Sequence, residues 1–64
     1  MRVNGKEVSL DNNQSLMQFL VANQFDVATL AVARNGEIVP KATYDTVILC
    51  EADSLEVVRF VGGG

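Results

Sequence analysis

Leu55-Glu56-Val57-Val58-Arg59-Phe60-Val61-Gly62-Gly63-Gly64 is an apolar strand pattern that runs directly into glycines at the C-terminus. At ordinary glycine usage, roughly 7% of residues, two terminal glycines arise by chance in about one chain in 200. Glycine lacks a Cβ and accepts almost any backbone conformation. A tail of glycines can therefore stay extended, enter a channel too narrow for side chains and present its carboxylate to another protein. A frayed, unselected end or an expression scar leaves the same letters, so the tail alone keeps both readings open.

The final strand also carries a face pattern, because successive strand side chains alternate. Leu55, Val57, Arg59 and Val61 share one face; Glu56, Val58 and Phe60 share the other. An unpaired carboxylate is costly to bury, which puts Glu56 outside and Leu55 and Val57 in the core, with Arg59 beyond its edge. Val58 and Phe60 are then apolar and exposed just before the glycines, as a docking patch would be. The alternative is that loop residues cover that face.

Upstream of this strand, the chain reads as further strands flanking one helix. Met1 to Asn4 and Glu7 to Leu10 are short runs around Asn4-Gly5-Lys6, and Leu30 to Arg34 and Glu37 to Val39 flank Asn35-Gly36. Asn-Gly is the strongest short hairpin signal. Pro40 cannot donate to a ladder and closes its strand. Asp11 to Gln14 is a polar loop, after which Ser15 is an N-cap with Gln18 as its capping-box partner. Leu16, Phe19 and Leu20 follow on one helical face, and the helix is expected to end near Asn23. Thr43 to Cys50 fits either a helical turn or a bridge packed on the core, and Glu51 to Ser54 reads as a turn.

Composition bounds the function. Sixty-four residues allow one domain, with 48% hydrophobic and 20% charged residues, too apolar for disorder. Cys50 is the only cysteine, so no disulfide staples the chain, and a lone thiol suits a reducing compartment. Met1 to Asn4 opens straight into a strand pattern without a signal peptide's apolar stretch, and no window approaches a membrane span; the expectation is a cytoplasmic protein. Net charge is −3, and Arg2, Lys6, Arg34, Lys41 and Arg59 stand singly, which argues against nucleic acid and weakly for a basic cleft on a protein partner.

No catalytic set emerges. The chain has no histidine, which removes the commonest general base and the Ser-His and Cys-His nucleophiles. Cys50 has no basic neighbour in sequence and reads as a small strand-end or core residue. Asp11, Asn13 and Ser15 start like a calcium loop, but its sixth position is Leu16 and its twelfth is Ala22. No metal site is expected. A chain without machinery of its own must be acted upon.

These segments together resemble the ThiS family of ubiquitin-like, β-grasp sulfur carriers. The likeness rests on Met1 to Lys6, on Ser15-Leu16 with Phe19-Leu20, on Ala31 to Lys41, on Glu51-Ala52-Asp53, and on Val57 to Gly64. It covers essentially the whole chain. Ala52 departs from the family's usual glycine in an acidic turn, and Tyr44 stands where an aromatic, often tryptophan, is common. The fold this resemblance implies is α+β, a mixed four- to five-stranded sheet packed on one main helix. Residues 1–61 would form the β-grasp domain and 62–64 a flexible glycine tail.

The resemblance also implies a mechanism. A ThiF-like activating enzyme binds the carrier with ATP, and the Gly64 carboxylate becomes an acyl-adenylate. Sulfur from a cysteine desulfurase persulfide then replaces AMP to give a thiocarboxylate, and a thiazole synthase (ThiG-like) receives it for thiamin. Gly62 and Gly63 supply reach, and Val58 and Phe60 supply docking. The chain itself binds no cofactor; ATP belongs to the activating partner. Two alternatives remain: a carrier for molybdopterin or another sulfur route, whose members are usually somewhat longer, and a ubiquitin-like binding module whose glycines are never activated.

Overall fold

Both Asn-Gly pairs turn the chain tightly. In the computed structural model, which describes residues 1–10 and 14–59, Asn4 and Gly5 have φ of 52° and 83°, and Asn35 and Gly36 have 51° and 88°. Positive φ at both central residues marks a type I′ turn, whose twist matches that of the strands it joins. The first turn links β1 (Arg2–Val3) to β2 (Lys6–Glu7), and the second links β3 (Leu30–Arg34) to β4 (Glu37–Ile38).

The second strand is shorter than the expected Glu7 to Leu10 and starts one residue earlier. A two-residue turn consumes only Asn4 and Gly5, so Lys6 already pairs with Val3. The Val8 N–H still donates to the Met1 carbonyl at 2.9 Å before the chain leaves the sheet. Likewise β4 stops at Ile38, although the Val39 N–H donates to the Val32 carbonyl at 2.9 Å.

β5 (Ser54–Arg59) completes the sheet, in the order β2-β1-β5-β3-β4. It runs parallel to β1, with Arg2 opposite Ser54 and Val3 opposite Leu55. It runs antiparallel to β3, from Leu30 opposite Arg59 to Arg34 opposite Leu55. The strand that precedes the glycines is therefore the centre of the sheet. Ser54, expected in a turn, already pairs as its first residue.

The helix α1 (Leu16–Ala22) forms where its cap predicts. The Gln18 N–H donates to Ser15 Oγ at 3.1 Å, and the Ser15 N–H to Gln18 Oε1 at 3.0 Å. Asn23 caps the C-terminus. Beyond it Gln24 takes a left-handed φ of 63°, while the Phe25 N–H reaches Leu20 and the Gln24 N–H reaches Val21. That pair of bonds is a Schellman motif, usually built on glycine. A 3₁₀ turn at Val27–Thr29, capped by the Asp26 carboxylate on the Ala28 N–H, was not anticipated.

Between Thr43 and Cys50 the chain makes one turn, with the Val47 N–H donating to the Thr43 carbonyl at 3.0 Å, and then Ile48 bridges to Ser15; a 3₁₀ turn at Lys41–Thr43 leads into it. The Val47 and Tyr44 carbonyls accept from the Leu16 and Met17 N–H groups, each at 2.8 Å, so this segment satisfies donors that a helix N-terminus leaves free.

Leu16, Phe19 and Leu20 of α1 pack with Val3, Leu30, Val32, Leu55, Leu49 and Tyr44 in one core. Each fully buried aliphatic side chain contributes about 1.5–3 kcal/mol. Tyr44 is buried and its hydroxyl has no protein partner of hydrogen-bonding geometry. Burial pushes its phenol pKa up, eased by the nearby Val32 backbone. Of the two positions expected for Cys50, strand end or core, the core one is excluded: Cys50 is exposed, and neighbouring Leu49 takes the core position.

Candidate functional site

The described residues of β5 alternate as expected. Leu55 is fully buried, Val57 half-buried, and Glu56 and Arg59 exposed. Val58 is 58% exposed and stands opposite Ala31 on β3. One row along the same face, Glu56 lies opposite Ala33, which in turn lies opposite Ile38 of β4. Ile38 is 73% exposed, so Val58, Ala31, Ala33 and Ile38 form an apolar strip across three strands. Ile38 was missed because its two-residue strand offers too little alternation to assign a face; its register with Ala33 is what places it. Of the other expected site residues, Phe60, Gly62, Gly63 and Gly64 lie outside the described residues.

The start of β5 is held by a polar cluster centred on Asp53, which is only 6% exposed. Its Oδ2 accepts from Arg34 Nε at 3.0 Å and from the Cys50 N–H at 2.9 Å, and lies 2.9 Å from Arg34 Nη2. Its Oδ1 accepts from Asn35 Nδ2 at 3.1 Å. Burial alone would favour the neutral acid, but the Cys50 N–H, Arg34 and Asn35 outweigh it and hold the carboxyl below its ordinary pKa. Arg34 Nη2 also donates to the Ile48 carbonyl at 3.3 Å. The sequence showed Asp53 only as a turn residue. Its side-chain partners come from positions 19 and 18 residues away, which no local pattern displays. Ala52 occupies this turn without a positive φ, so the departure from glycine leaves the turn intact.

The Asn35 amide reaches one residue further, with Oδ1 accepting from the Ser54 N–H at 3.0 Å. Asn4, in the other turn, grips β5 at Val57. Its Oδ1 accepts from the Val57 N–H at 2.8 Å, and its Nδ2 donates to the Val57 carbonyl at 3.3 Å. Both turn asparagines thus tie to the same strand.

Among the described residues no cluster of three potential ligands could hold a metal ion, and no helix is long and apolar enough to cross a membrane. Two hollows near the N-terminus are lined by residues such as Arg2, Glu7, Glu51 and Ser9; they offer carboxylates without a histidine. What the site can do is present a surface and lead the chain away from it.

The chain matches the model of the ThiS family over residues 1–64. It is 40% identical to the sulfur carrier protein ThiS of Bacillus subtilis, covering all of this chain and 98% of that protein. It is 39% identical to a thiazole synthase of Paramagnetospirillum magneticum, covering 97% of this chain but only 19% of that longer protein. Its structure matches the crystal structure of the thiamine biosynthesis protein ThiS from Geobacter metallireducens with a TM-score of 0.82 at 27% identity, over 98% of this chain and 96% of that one.

Proposed function

The chain belongs to the ThiS family, a β-grasp sulfur carrier and not a catalyst, and from that premise we propose that it carries sulfur for thiazole formation on its own terminal carboxylate. A ThiF-like partner would bind ATP. The Gly64 carboxylate attacks the α-phosphorus, pyrophosphate leaves, and an acyl-adenylate forms. The terminal sulfur of a persulfide, supplied by a cysteine desulfurase, attacks the acyl carbon and AMP leaves. A thiol then attacks the sulfur on the far side of the S–S bond, which forms a disulfide and frees the thiocarboxylate. A tethered sulfur passed between pockets avoids free sulfide and raises its effective concentration.

The observation that carries this reading is the end-to-end similarity to a sulfur carrier protein, 40% identity with 98% of that protein covered. The thiazole synthase whose chain contains a region similar to this one supports a thiazole-forming acceptor. In this reading Val58 and Phe60, joined by Ile38, dock the partner, and Gly62 and Gly63 give Gly64 its reach. The test uses the cognate activating enzyme and follows pyrophosphate. Deleting Gly64 shortens the reach by about 3.5 Å, and Gly63→Val adds bulk where the channel is narrow. Both should abolish pyrophosphate release while the domain stays folded. Release at the wild-type rate from either variant contradicts the reading.

A further inference from the structure

We infer that Asn4 is a positioning residue that holds the β1 side of β5 close to where the strand passes into the reactive tail. β1 pairs with β5 only at Ser54 and Leu55, and the Asn4 N–H adds one more bond, to the Leu55 carbonyl at 2.9 Å. Beyond that no β1 backbone accompanies the strand. The Asn4 side chain takes over at Val57, where its carboxamide accepts the N–H and donates to the carbonyl. A primary amide presents one acceptor and donors in one plane, as a peptide group does. It acts as one added residue of β1. The turn itself does not require this chemistry, since aspartate and glycine also suit the φ of 52°; only asparagine there pairs with both Val57 groups.

The consequence is geometric. Val57 is the last β5 residue tied on its β1 side by the bonds described; β3 accompanies the strand on its other side as far as Arg59, opposite Leu30, and five residues, 60–64, follow. Fully extended, five residues reach at most about 18 Å. A fixed departure point makes that reach a defined distance for the carboxylate, whereas a strand end that frays back past Val57 makes it variable. The Asn4 amide is exposed to water, so the tie is modest, and its loss should loosen the strand end without unfolding the core.

The experiment has two arms, and the second rests on the proposed adenylation of Gly64. The first measures amide hydrogen exchange in the free carrier, comparing wild type with Asn4→Gly, Asn4→Asp and Asn35→Gly. Asn4→Gly should speed exchange at Val57 by roughly two- to threefold, the low end of what one net hydrogen bond supports. Asn4→Asp, which keeps only the acceptor, should lie between. Asn35→Gly, at the other end of β5, should leave the ratio of Val57 to core exchange unchanged. Unaltered Val57 exchange in Asn4→Gly overturns the inference. The second arm measures pyrophosphate release with the activating enzyme at a temperature where all variants are folded. Asn4→Gly should lower kcat roughly three- to tenfold with KM within about twofold, because the apolar strip is retained while the carboxylate is less well placed. A loosened strand with unchanged kcat also overturns the positioning role. If wild type itself releases no pyrophosphate, the carrier chemistry fails, and the exchange arm alone decides whether Asn4 holds the strand.

Discussion

Asn4-Gly5 and Asn35-Gly36 adopt nearly the same backbone, with φ of 52° and 83° in one turn and 51° and 88° in the other, yet their side chains enter different surroundings. The Asn35 amide joins the half-buried network of Asp53, Arg34 and the Cys50 N–H, where β5 begins. The Asn4 amide lies in water and meets only the Val57 backbone, toward the end of the strand. The dipeptide determines the turn; the topology determines what the amide does. β5 is consequently pinned hard where it enters the sheet and lightly where it approaches the tail.

The comparison breaks most visibly at Asp53. Asp53→Ala leaves Arg34, Asn35 and the Cys50 N–H without their shared acceptor, and should destabilise the domain by about 2–3 kcal/mol in denaturant unfolding. The same carboxyl sets a pH dependence. Its folded pKa lies below the ordinary 3.8, so the stability it contributes is fully present above that value. It is lost as pH falls from there through the lower folded value. Wild type should lose stability across that acid range more steeply than Asp53→Asn. Parallel pH curves would remove Asp53 as the anchor.

The turns themselves offer a control. A Cβ on Gly5 or Gly36 would meet nothing within 4 Å, so Gly5→Ala and Gly36→Ala isolate backbone strain. Each should cost about 1–2 kcal/mol, and the two costs should agree. A large difference would mean that the turns are not equivalent locally, and the contrast drawn above would lose its basis. Smaller effects sharpen it: Asn35→Gly should cost about 1–1.5 kcal/mol because it leaves half-buried partners unpaired, and Asn4→Gly about 0.5 kcal/mol because water replaces its bonds.

Those magnitudes follow the boundary between what the sequence displays and what it hides. Turns, the Ser15–Gln18 cap and the faces of β5 were legible because each rests on residues at most a few positions apart. Leu55, Val57 and Val58 needed only alternation and one carboxylate, Glu56, to set their sides. The Asp53 network exists only once antiparallel β3 lies beside β5, and the Asn4 grip on Val57, 53 residues away, only once parallel β1 does. Ile38 became part of the outer strip only through its register with Ala33. Gln24, a glutamine in a left-handed helix cap, was hidden because glycine is the usual marker there.

Both halves of the molecule serve one claim, that a rigidly held central strand delivers a carboxylate for others to load. Intact mass spectrometry tests it most directly. Wild-type carrier incubated with ATP, the activating enzyme, a cysteine desulfurase, cysteine and a reductant should gain the mass difference of one sulfur in place of one oxygen, and fragmentation should place it on Gly64. Carrier that keeps its original mass, while the same enzymes load an established carrier in parallel, would contradict the account.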